Sequence, residues 1–313
     1  MNRVAALDCG TNSLRLLVAD IDPVDGTIDD LARDTRIVRL GQGVDKTRRF
    51  ADDALARTFA VCHEYASQMA HLGAARVRFV ATSASRDATN REEFFAGVRS
   101  ILGVGVEVIT GDHEAALSFA GATRELVAVQ AVSAPYLVVD IGGGSTEFVL
   151  GARDVEAARS VDVGCVRLAE RHLSSDPATG VQIEAARADV VAAIELAAQS
   201  VPMAKAKTLV GLAGSVTTVA ALALKLDEYD ADRIHHSRIA AHQVHEITEQ
   251  LLVMSRSERA ALGVMHPGRA DVIGAGALVL DTIMSALDFA DVLVSEHDIL
   301  DGIALSIADA IEA

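Results

Sequence analysis

Aromatic residues and cysteines are scarce in this chain of 313 residues. It has no tryptophan, three tyrosines and eight phenylalanines, so it offers little surface on which a flat ring could stack. The three cysteines, Cys9, Cys62 and Cys165, are too few and too scattered for a disulfide framework or a cysteine zinc site. This cysteine usage points to a reducing compartment.

Positive charge is also in short supply. The chain has 28 Lys and Arg residues against 44 Asp and Glu residues, which gives a formal net charge of −16 at pH 7. Nucleic-acid grooves and surfaces for anionic membranes need clustered cations, so both functions are disfavoured. A polyanionic ligand would have to be held locally, by loops and a metal ion.

Long apolar runs are absent as well. No stretch is long enough to span a bilayer, and the chain does not open with a basic segment followed by an apolar one. We therefore expect a soluble, cytoplasmic protein. Half of the residues are apolar, and this length allows one large domain or two ordinary ones with a substantial core.

The chain contains one kind of turn twice. The first copy reads ALDCGTNSLRLLV and the second, at 137–150, reads LVVDIGGGSTEFVL. Each copy is a buried strand that ends in Asp, then a glycine turn with Ser, then another apolar run. The repeat predicts two related lobes that face one cleft. At an offset of 132 residues the matching pairs are Asp8 with Asp140, Gly10 with Gly142, and Ser13 with Ser145.

Such turns have a definite chemistry. Small residues let consecutive backbone N–H groups converge on an anion, and a Ser or Thr hydroxyl adds a further donor. An Asp before the turn repels phosphate but suits Mg²⁺, which is shared between carboxylate and phosphate oxygens. One glycine turn alone is more often a steric device of strand–helix connections. Three are present, the third in GLAGSVTT at 211–218, and together they favour phosphate binding.

The remaining pattern predicts the elements of the first lobe. Strands are expected at about 3–9 and 13–20, followed by a DPVDG turn at 22–26. A helix is expected at about 52–72, with Asp52 as its N-cap and Gly73 as its stop. A strand at 76–82 then leads into a Ser/Thr-rich turn, TSASRDATN.

Further along, a helix at about 112–128 precedes a less structured stretch, VQAVSAP at 129–135. We take this stretch as the lobe boundary. The predicted lobes are 1–128, completed by a C-terminal helix at about 298–313, and 129–297.

Several charged residues are candidates for a site. Glu114 lies in the first turn of a predicted helix, where the macrodipole alone would favour a carboxylate, so a structural and a functional role are equally supported. Arg86 and Arg91 flank TSASRDATN and are suited to bind phosphate, although isolated arginines are commonly solvated. Strand alternation places Glu147 near Asp140 as a second metal carboxylate. Four histidines, at 235, 236, 242 and 245, are interpreted as exposed helix residues, because no ligand set is complete around them.

Eight segments, in this order, resemble the exopolyphosphatase and guanosine pentaphosphate phosphohydrolase family. This family belongs to the superfamily of actin, sugar kinases and heat-shock chaperone ATPases. The resemblance covers nearly the whole chain and implies an α/β, actin-like (ribonuclease H-like) two-lobe fold with the active site in the interlobe cleft. The segments are ALDCGTNSLRLLV, VATSASRDATN, ITGDHEAALSFAG, VVDIGGGSTEFVL, VGCVRLAE, GLAGSVTTVAAL, HPGRADVIGAGALVL and SEHDILDGI.

The resemblance also implies roles for individual residues. Glu114 matches the residue that activates the attacking water, and Asp140 and Glu147 match acidic residues of a Mg²⁺ site, with Asp8 facing them. The phosphate-binding residues it implies are Thr11, Asn12, Ser13, Gly142, Gly143, Gly144, Ser145 and Thr146.

The implied activity is hydrolysis of the terminal phosphoanhydride bond of inorganic polyphosphate, of short chains in particular, by a homodimer. The chain resembles a short form that lacks the additional C-terminal helical domain of longer members. It departs from the family at Thr11, where Ser is frequent, and at His113, where a second Glu is common.

Two other functions remain open from the sequence. Guanosine pentaphosphate could be the substrate, although the few aromatic residues favour inorganic polyphosphate. A nucleotide-binding regulatory protein or a kinase could also use this scaffold, because fold alone does not fix function. Glu114 and TSASRDATN favour the phosphatase.

Overall fold

The chain folds into two compact units. The computed structural model describes residues 2–22, 27–127, 129 and 132–312. The first unit comprises Met1–Gly121 and Asp298–Ala313, and the second comprises Ala122–His297. The division predicted at 128/129 comes later in the chain than this one, and residue 128 itself lies outside the described residues.

Within the described residues, the first unit is an α/β structure of five strands and six helices, of which α5 ends just past the unit boundary. In chain order they are β1 (Asn2–Cys9), β2 (Ser13–Ile21), β3 (Ile28–Ile37), α1 (Val44–Thr47), α2 (Asp52–Leu72), β4 (Arg76–Ala81), α3 (Ser83–Asp87), α4 (Arg91–Leu102), β5 (Val106–Val108), α5 (Gly111–Thr123) and, after the second unit, α13 (Ile299–Glu312).

The five strands form one mixed sheet in the order β3-β2-β1-β4-β5. The first three strands make an antiparallel meander, and β4 and β5 run parallel to β1 because helices connect them.

Alternation along β1 divides its side chains between two cores. Ala5, Leu7 and Cys9 face α2 and α4, whereas Val4 and Ala6 pack with α13 on the other face. Asp8 has the same parity as Val4 and Ala6, so it points to the α13 side of the sheet and away from Cys9.

The part of the second unit that the structure describes contains six strands and seven further α-helices. They are β6 (Tyr136–Ile141), β7 (Thr146–Gly151), β8 (Val155–Val161), α6 (Cys165–His172), α7 (Gly180–Ala198), β9 (Thr208–Leu212), α8 (Ala213–Ala223), α9 (Ala231–Ile234), β10 (Arg238–Ala240), α10 (Ala241–Val253), α11 (Arg256–Ala260), α12 (Ile273–Ala286) and β11 (Asp291–Val294). Short 3₁₀ helices lie at Glu125–Val127, Met203–Lys205 and Pro267–Arg269.

The sheet of the second unit repeats the first. Its order is β10-β11-β9-β6-β7-β8, with an antiparallel meander in β6–β8 and with β9 and β11 added in parallel. β10 extends the sheet antiparallel to β11. One large apolar core packs α7, α8, α10 and α12 against this sheet.

Several element predictions need correction. Asp52 is the first residue of α2 and Ala51 is its N-cap, while Gly73 ends the helix with a left-handed φ of 72° as expected. The helix predicted to reach residue 128 ends at Thr123 and is followed by the 3₁₀ turn at Glu125–Val127. The Ser/Thr-rich turn is in part a helix, α3. In the predicted turn at 22–26, only Asp22 belongs to the described residues.

Among the described residues, no helix is both long and apolar enough to cross a membrane.

Candidate active site

The first glycine turn connects β1 to β2 and is closed by a backbone hydrogen bond. Gly10 N donates to Ser13 O at 3.0 Å. A neighbouring loop supports the turn from outside, because Arg39 N donates to Asn12 O and Gly41 N to Thr11 O, both at 2.8 Å. A side chain at Gly41 would overlap Thr11, so glycine is needed for this close approach.

A second polar segment lies beside this turn. β4 pairs in parallel with β1, so the carboxyl ends of both strands lie together and α3 starts next to the turn. Thr82 N donates to Cys9 O at 3.2 Å, and the hydroxyls of Thr11 and Ser83 lie 2.9 Å apart. The first turn and α3 therefore present hydroxyl groups together.

Glu114 is buried in the first turn of α5 and is paired with Arg86 of α3. Arg86 Nη1 donates to Glu114 Oε2 at 2.8 Å and to Ile109 O at 2.9 Å. Through α3, the ion pair is connected to the hydroxyls of Ser83 and Thr11. The structure thus groups Thr11, Arg86 and Glu114 within the first unit.

Asp8 is held by an arginine that the sequence analysis overlooked. Arg15 lies opposite Asp8 in the register of β1 and β2, donates to Asp8 Oδ2 from two nitrogens at 2.8 and 3.0 Å, and also pairs with Asp298. All three side chains are largely buried.

Burial raises the pKa of Asp8 above its ordinary value, against the opposing effect of Arg15. Burial also acts to raise the pKa of Asp298, but the charges of Arg15 and Arg33 outweigh it, so the pKa of Asp298 lies below its ordinary value. The second oxygen of Asp8, Oδ1, is buried without a hydrogen-bond partner among the described residues.

The second glycine turn connects β6 to β7 and repeats the closure of the first. Gly142 N donates to Ser145 O at 3.0 Å, the same bond between the aligned residues. The following loop packs directly on the turn: Cys165 N donates to Gly142 O and Val166 N to Gly143 O, both at 2.9 Å. A Cβ at Gly164 would lie 2.6 Å from the backbone of Gly143, so only glycine fits there.

Asp140 and Glu147 lie directly opposite each other on β6 and β7. Both are buried, and Ser160 Oγ donates to Glu147 Oε1 at 2.7 Å. Thr146 directs its hydroxyl away from the turn, to Val163 O at 2.6 Å. The second unit therefore brings together the carboxylates and the turn residues Gly142, Gly143, Gly144 and Ser145.

The third turn lies at the start of α8. Ala213 has a left-handed φ of 68°, and the guanidinium of Arg269 fills the space where a side chain at Gly214 would be. A cation and a helix N-terminus thus meet at this turn, which is the arrangement that attracts anions.

The histidines divide into two groups. His242 and His245 lie on α10 as expected, and His245 Nδ1 contacts Asp281 Oδ1 at 3.2 Å. His235 and His236 follow α9 and are only partly exposed, so the interpretation as exposed helix residues is wrong for them.

Arg15, Asp298, Ser83 and Arg269 are the residues that the sequence analysis did not single out. The aligned turns contained one usable signal, since Arg15 stands where the second copy has Glu147. A cation at a position that carries a carboxylate in the other copy suggests a partner for Asp8.

The second sheet repeats the strand order of the first and adds β10, and each unit has an Asp–glycine turn between its first two antiparallel strands; this is the architecture of the actin-like fold. The chain belongs to the Ppx/GppA phosphatase family, whose model matches residues 17–310. The family acts on phosphoanhydride bonds, which makes this protein a hydrolase.

Individual relatives cover different shares of the chain. Exopolyphosphatase 2 of Mycobacterium tuberculosis is 51% identical over an alignment of 319 positions, which covers 98% of this chain and 99% of the relative. A solved exopolyphosphatase-like protein is 42% identical, with a TM-score of 0.93 and 99% of both chains covered. Guanosine-5'-triphosphate,3'-diphosphate pyrophosphatase of Vibrio cholerae is 36% identical over 169 residues, or 54% of this chain and 33% of that protein.

Proposed function

We propose that this protein is an exopolyphosphatase that removes terminal orthophosphate groups from inorganic polyphosphate. The observation that carries the proposal is the likeness to Exopolyphosphatase 2, which extends over both chains almost completely. The interlobe cleft inferred from the sequence stays a prediction. Phosphate binding is proposed for each glycine turn from the residues of its own unit.

Phosphate binding is assigned to the two turns. In the first, the groups are the backbone and side chains of Thr11, Asn12 and Ser13, with Arg86 nearby. In the second they are Gly142, Gly143, Gly144, Ser145 and Thr146, although the Thr146 hydroxyl is already engaged, so its contribution would come from its backbone. These groups can neutralise charge on the equatorial oxygens during phosphoryl transfer.

Mg²⁺ is the proposed cofactor. Its proposed ligand in the first unit is Asp8, and its proposed ligands in the second unit are Asp140 and Glu147. The donor set fits, because Mg²⁺ prefers carboxylate oxygens and Asp8 Oδ1 is a buried oxygen with no other partner among the described residues. Bound there, the ion would withdraw charge from phosphate oxygens.

Glu114 is proposed as the general base. It would orient a water molecule and accept its proton as the water oxygen attacks the terminal phosphorus. The bond from that phosphorus to the bridging oxygen breaks, the shortened chain leaves with the bridging oxygen, and the water oxygen remains in the released orthophosphate. Arg86 holds the carboxylate at 2.8 Å and so fixes its direction.

A Glu114→Gln variant should separate this role from that of a structural ion pair. We expect it to fold and to bind polyphosphate, but to lose about 10²- to 10⁴-fold in kcat, because the amide cannot accept the proton. Glu92→Gln, at an exposed glutamate in the first turn of α4, is the matched control and should keep full activity. Near-normal turnover by Glu114→Gln would show that another group is the base.

Guanosine pentaphosphate is the second candidate substrate, supported by the partial likeness to the Vibrio cholerae enzyme. Phosphate release from short polyphosphate, long polyphosphate and guanosine pentaphosphate should be measured in parallel, with and without EDTA. We expect release from polyphosphate, highest on short chains, that stops with EDTA and returns with Mg²⁺. Preferential release from guanosine pentaphosphate would reverse the assignment, and ATP binding without any release would favour a nucleotide-binding role.

We further propose a cytoplasmic homodimer. All three cysteines are free and buried, as suits a reducing compartment, and twofold symmetry is the commonest state of soluble oligomers. Sedimentation equilibrium would measure the mass, and a monomer at micromolar concentration would contradict the dimer.

A further inference from the structure

A second group of potential metal ligands lies in the second unit and contains no residue of its glycine turn. It consists of Glu125 in the first 3₁₀ turn, His235 directly after α9, and His297 shortly before α13. One ligand atom from each residue lies within 4.8 Å of the others. We call these three residues the Glu125 cluster.

The nitrogen–oxygen distances in the Glu125 cluster are long for hydrogen bonds and suit ligands of one metal ion. His235 Nε2 and His297 Nδ1 lie 3.4 and 3.5 Å from the same oxygen, Glu125 Oε2. A good N–H···O bond would be about 2.9 Å long. Two ligands at about 2.1 Å from a tetrahedral ion are separated by about 3.4 Å, which matches the separation of these atoms.

We propose that the Glu125 cluster binds a divalent transition-metal ion of the Zn²⁺ type, with a ligand set that shares no residue with the proposed Mg²⁺ carboxylates. Imidazole nitrogens favour Zn²⁺ and its neighbours over Mg²⁺ or Ca²⁺, which require oxygen. Three protein ligands leave one position for water, and partial exposure of all three side chains gives the ion a way in.

A third histidine supports the site. The ring of His236 stacks on that of His235, with 3.7 Å between centroids, and its buried Nε2 has no hydrogen-bond partner among the described residues. This stacking limits rotation of the His235 ring, whose Nε2 lies towards Glu125.

Metal binding would cost one existing hydrogen bond. Glu296 N donates to His235 Nδ1 at 3.1 Å, so the proton of His235 lies on Nε2, towards Glu125. When Nε2 coordinates the ion, the proton moves to Nδ1 and the bond from Glu296 is lost. A hydrogen bond of this kind is worth only about 1 kcal/mol, far less than a bound structural Zn²⁺ contributes.

The position of the Glu125 cluster in the chain indicates that a bound ion would stabilise the second unit. Glu125 follows the point where the chain enters the second unit, and His297 is the last residue of that unit. An ion bound by both residues would connect the segment that begins the second unit to the segment that ends it. We therefore expect the ion to stabilise the second unit without taking part in phosphate chemistry.

Zn²⁺ titration of the EDTA-treated, full-length protein tests the proposal. The calorimetric titration is run in excess Mg²⁺, so that sites made only of carboxylates are occupied, and is repeated with Co²⁺, whose visible spectrum reports nitrogen coordination. We expect one site per chain, and a rise in the thermal midpoint on binding.

Glu125→Gln and His297→Asn should weaken Zn²⁺ binding beyond the roughly 10- to 100-fold typical of losing an outer-shell partner. His242→Asn, at an exposed histidine of the same unit, is the control and should bind as the wild type does. Circular dichroism confirms that each variant is folded. Unchanged affinity in Glu125→Gln and His297→Asn, or no Zn²⁺ uptake by the wild type in Mg²⁺, would overturn the proposal.

Discussion

At the scale of single residues, Arg15 is the side chain on which two buried carboxylates depend. It pairs with Asp8 and Asp298, whose side chains are 7% and 6% exposed. Arg15→Met removes the cation that pairs with both carboxylates and leaves Asp298 only the charge of Arg33, and breaking a buried pair destabilises by about 3 to 5 kcal/mol. We expect the free energy of unfolding in urea at pH 7 to fall by that amount.

Arg3→Met is the comparison for Arg15→Met. Arg3 also pairs with an aspartate across β1 and β2, Asp20, but it is solvent-exposed. Exposed pairs contribute little, so its free energy of unfolding should stay nearly unchanged. Equal losses in the two variants would mean that burial does not set the importance of Arg15.

Cys62 gives the stability a pH dependence. Burial raises the pKa of its thiol to about 12 from an ordinary value of 9.0. Between these values the unfolded chain loses the proton and the folded chain keeps it. Stability from this group is therefore complete below pH 9 and falls as the pH rises, by up to about 1.4 kcal/mol per unit. Urea unfolding at pH 8, 9.5 and 10.5 should show a shallower decline in Cys62→Ala, and parallel declines would contradict the assignment.

At the scale of elements, two glycines allow α5 and α13 to touch. A side chain at Gly302 would overlap Leu117 O, and one at Gly121 would overlap Asp298 O. Gly302→Ala forces the helices apart, and overpacking of this kind typically destabilises by about 1 to 3 kcal/mol. The midpoint of guanidinium unfolding should fall accordingly.

Gly180→Ala tests whether the effect comes from the contact rather than from the substitution. Gly180 is the first residue of α7, and a Cβ there meets no atom within 4 Å. Because Ala is the better helix former by about 1 kcal/mol, this variant should be neutral or slightly more stable. A loss as large as that of Gly302→Ala would argue against the close contact.

Elements with local signals were predictable from the sequence. The two Asp–glycine turns and their flanking strands follow from buried runs, glycines and the alignment of Asp8 with Asp140. The structure gives both turns the same closing hydrogen bond. Gly73 likewise marked the end of α2, because a left-handed residue there is a local requirement.

Features that depend on distant residues were not predictable. Arg15 and Asp298 are separated by 283 positions, and no local pattern indicates that they meet. The pairing of Glu114 with Arg86 depends on how β4 and β5 place their connections. α3 was missed because five residues are too few to show helical periodicity.

At the scale of the whole molecule, the first unit depends on a helix that follows the second unit in the chain. Ile299, Leu300 and Ile303 of α13 complete an apolar core of the first unit, whereas among the described residues the large core of the second unit has no member beyond Val294. Deleting 298–313 should therefore unfold the first unit and spare the second.

Hydrogen exchange would measure this directly. In the shortened chain we expect protection to be lost in β1, β2 and β4, which contact α13, and to persist in β6, β7 and β9. Exchange of the intact protein under the same conditions is the reference. Loss of protection in both sheets would show that the units fold only together.

The place of α13 in the chain also has a consequence for synthesis on the ribosome. The apolar face formed by Val4, Ala6 and Leu17 is synthesised early. The helix that covers it, α13, is synthesised only after all of residues 122–297. At typical elongation rates that interval is roughly 9 to 35 s. During this time the apolar sheet face of the first unit is exposed to solvent, while the second unit can already fold. We therefore expect a chaperone that binds nascent chains to bind the first unit.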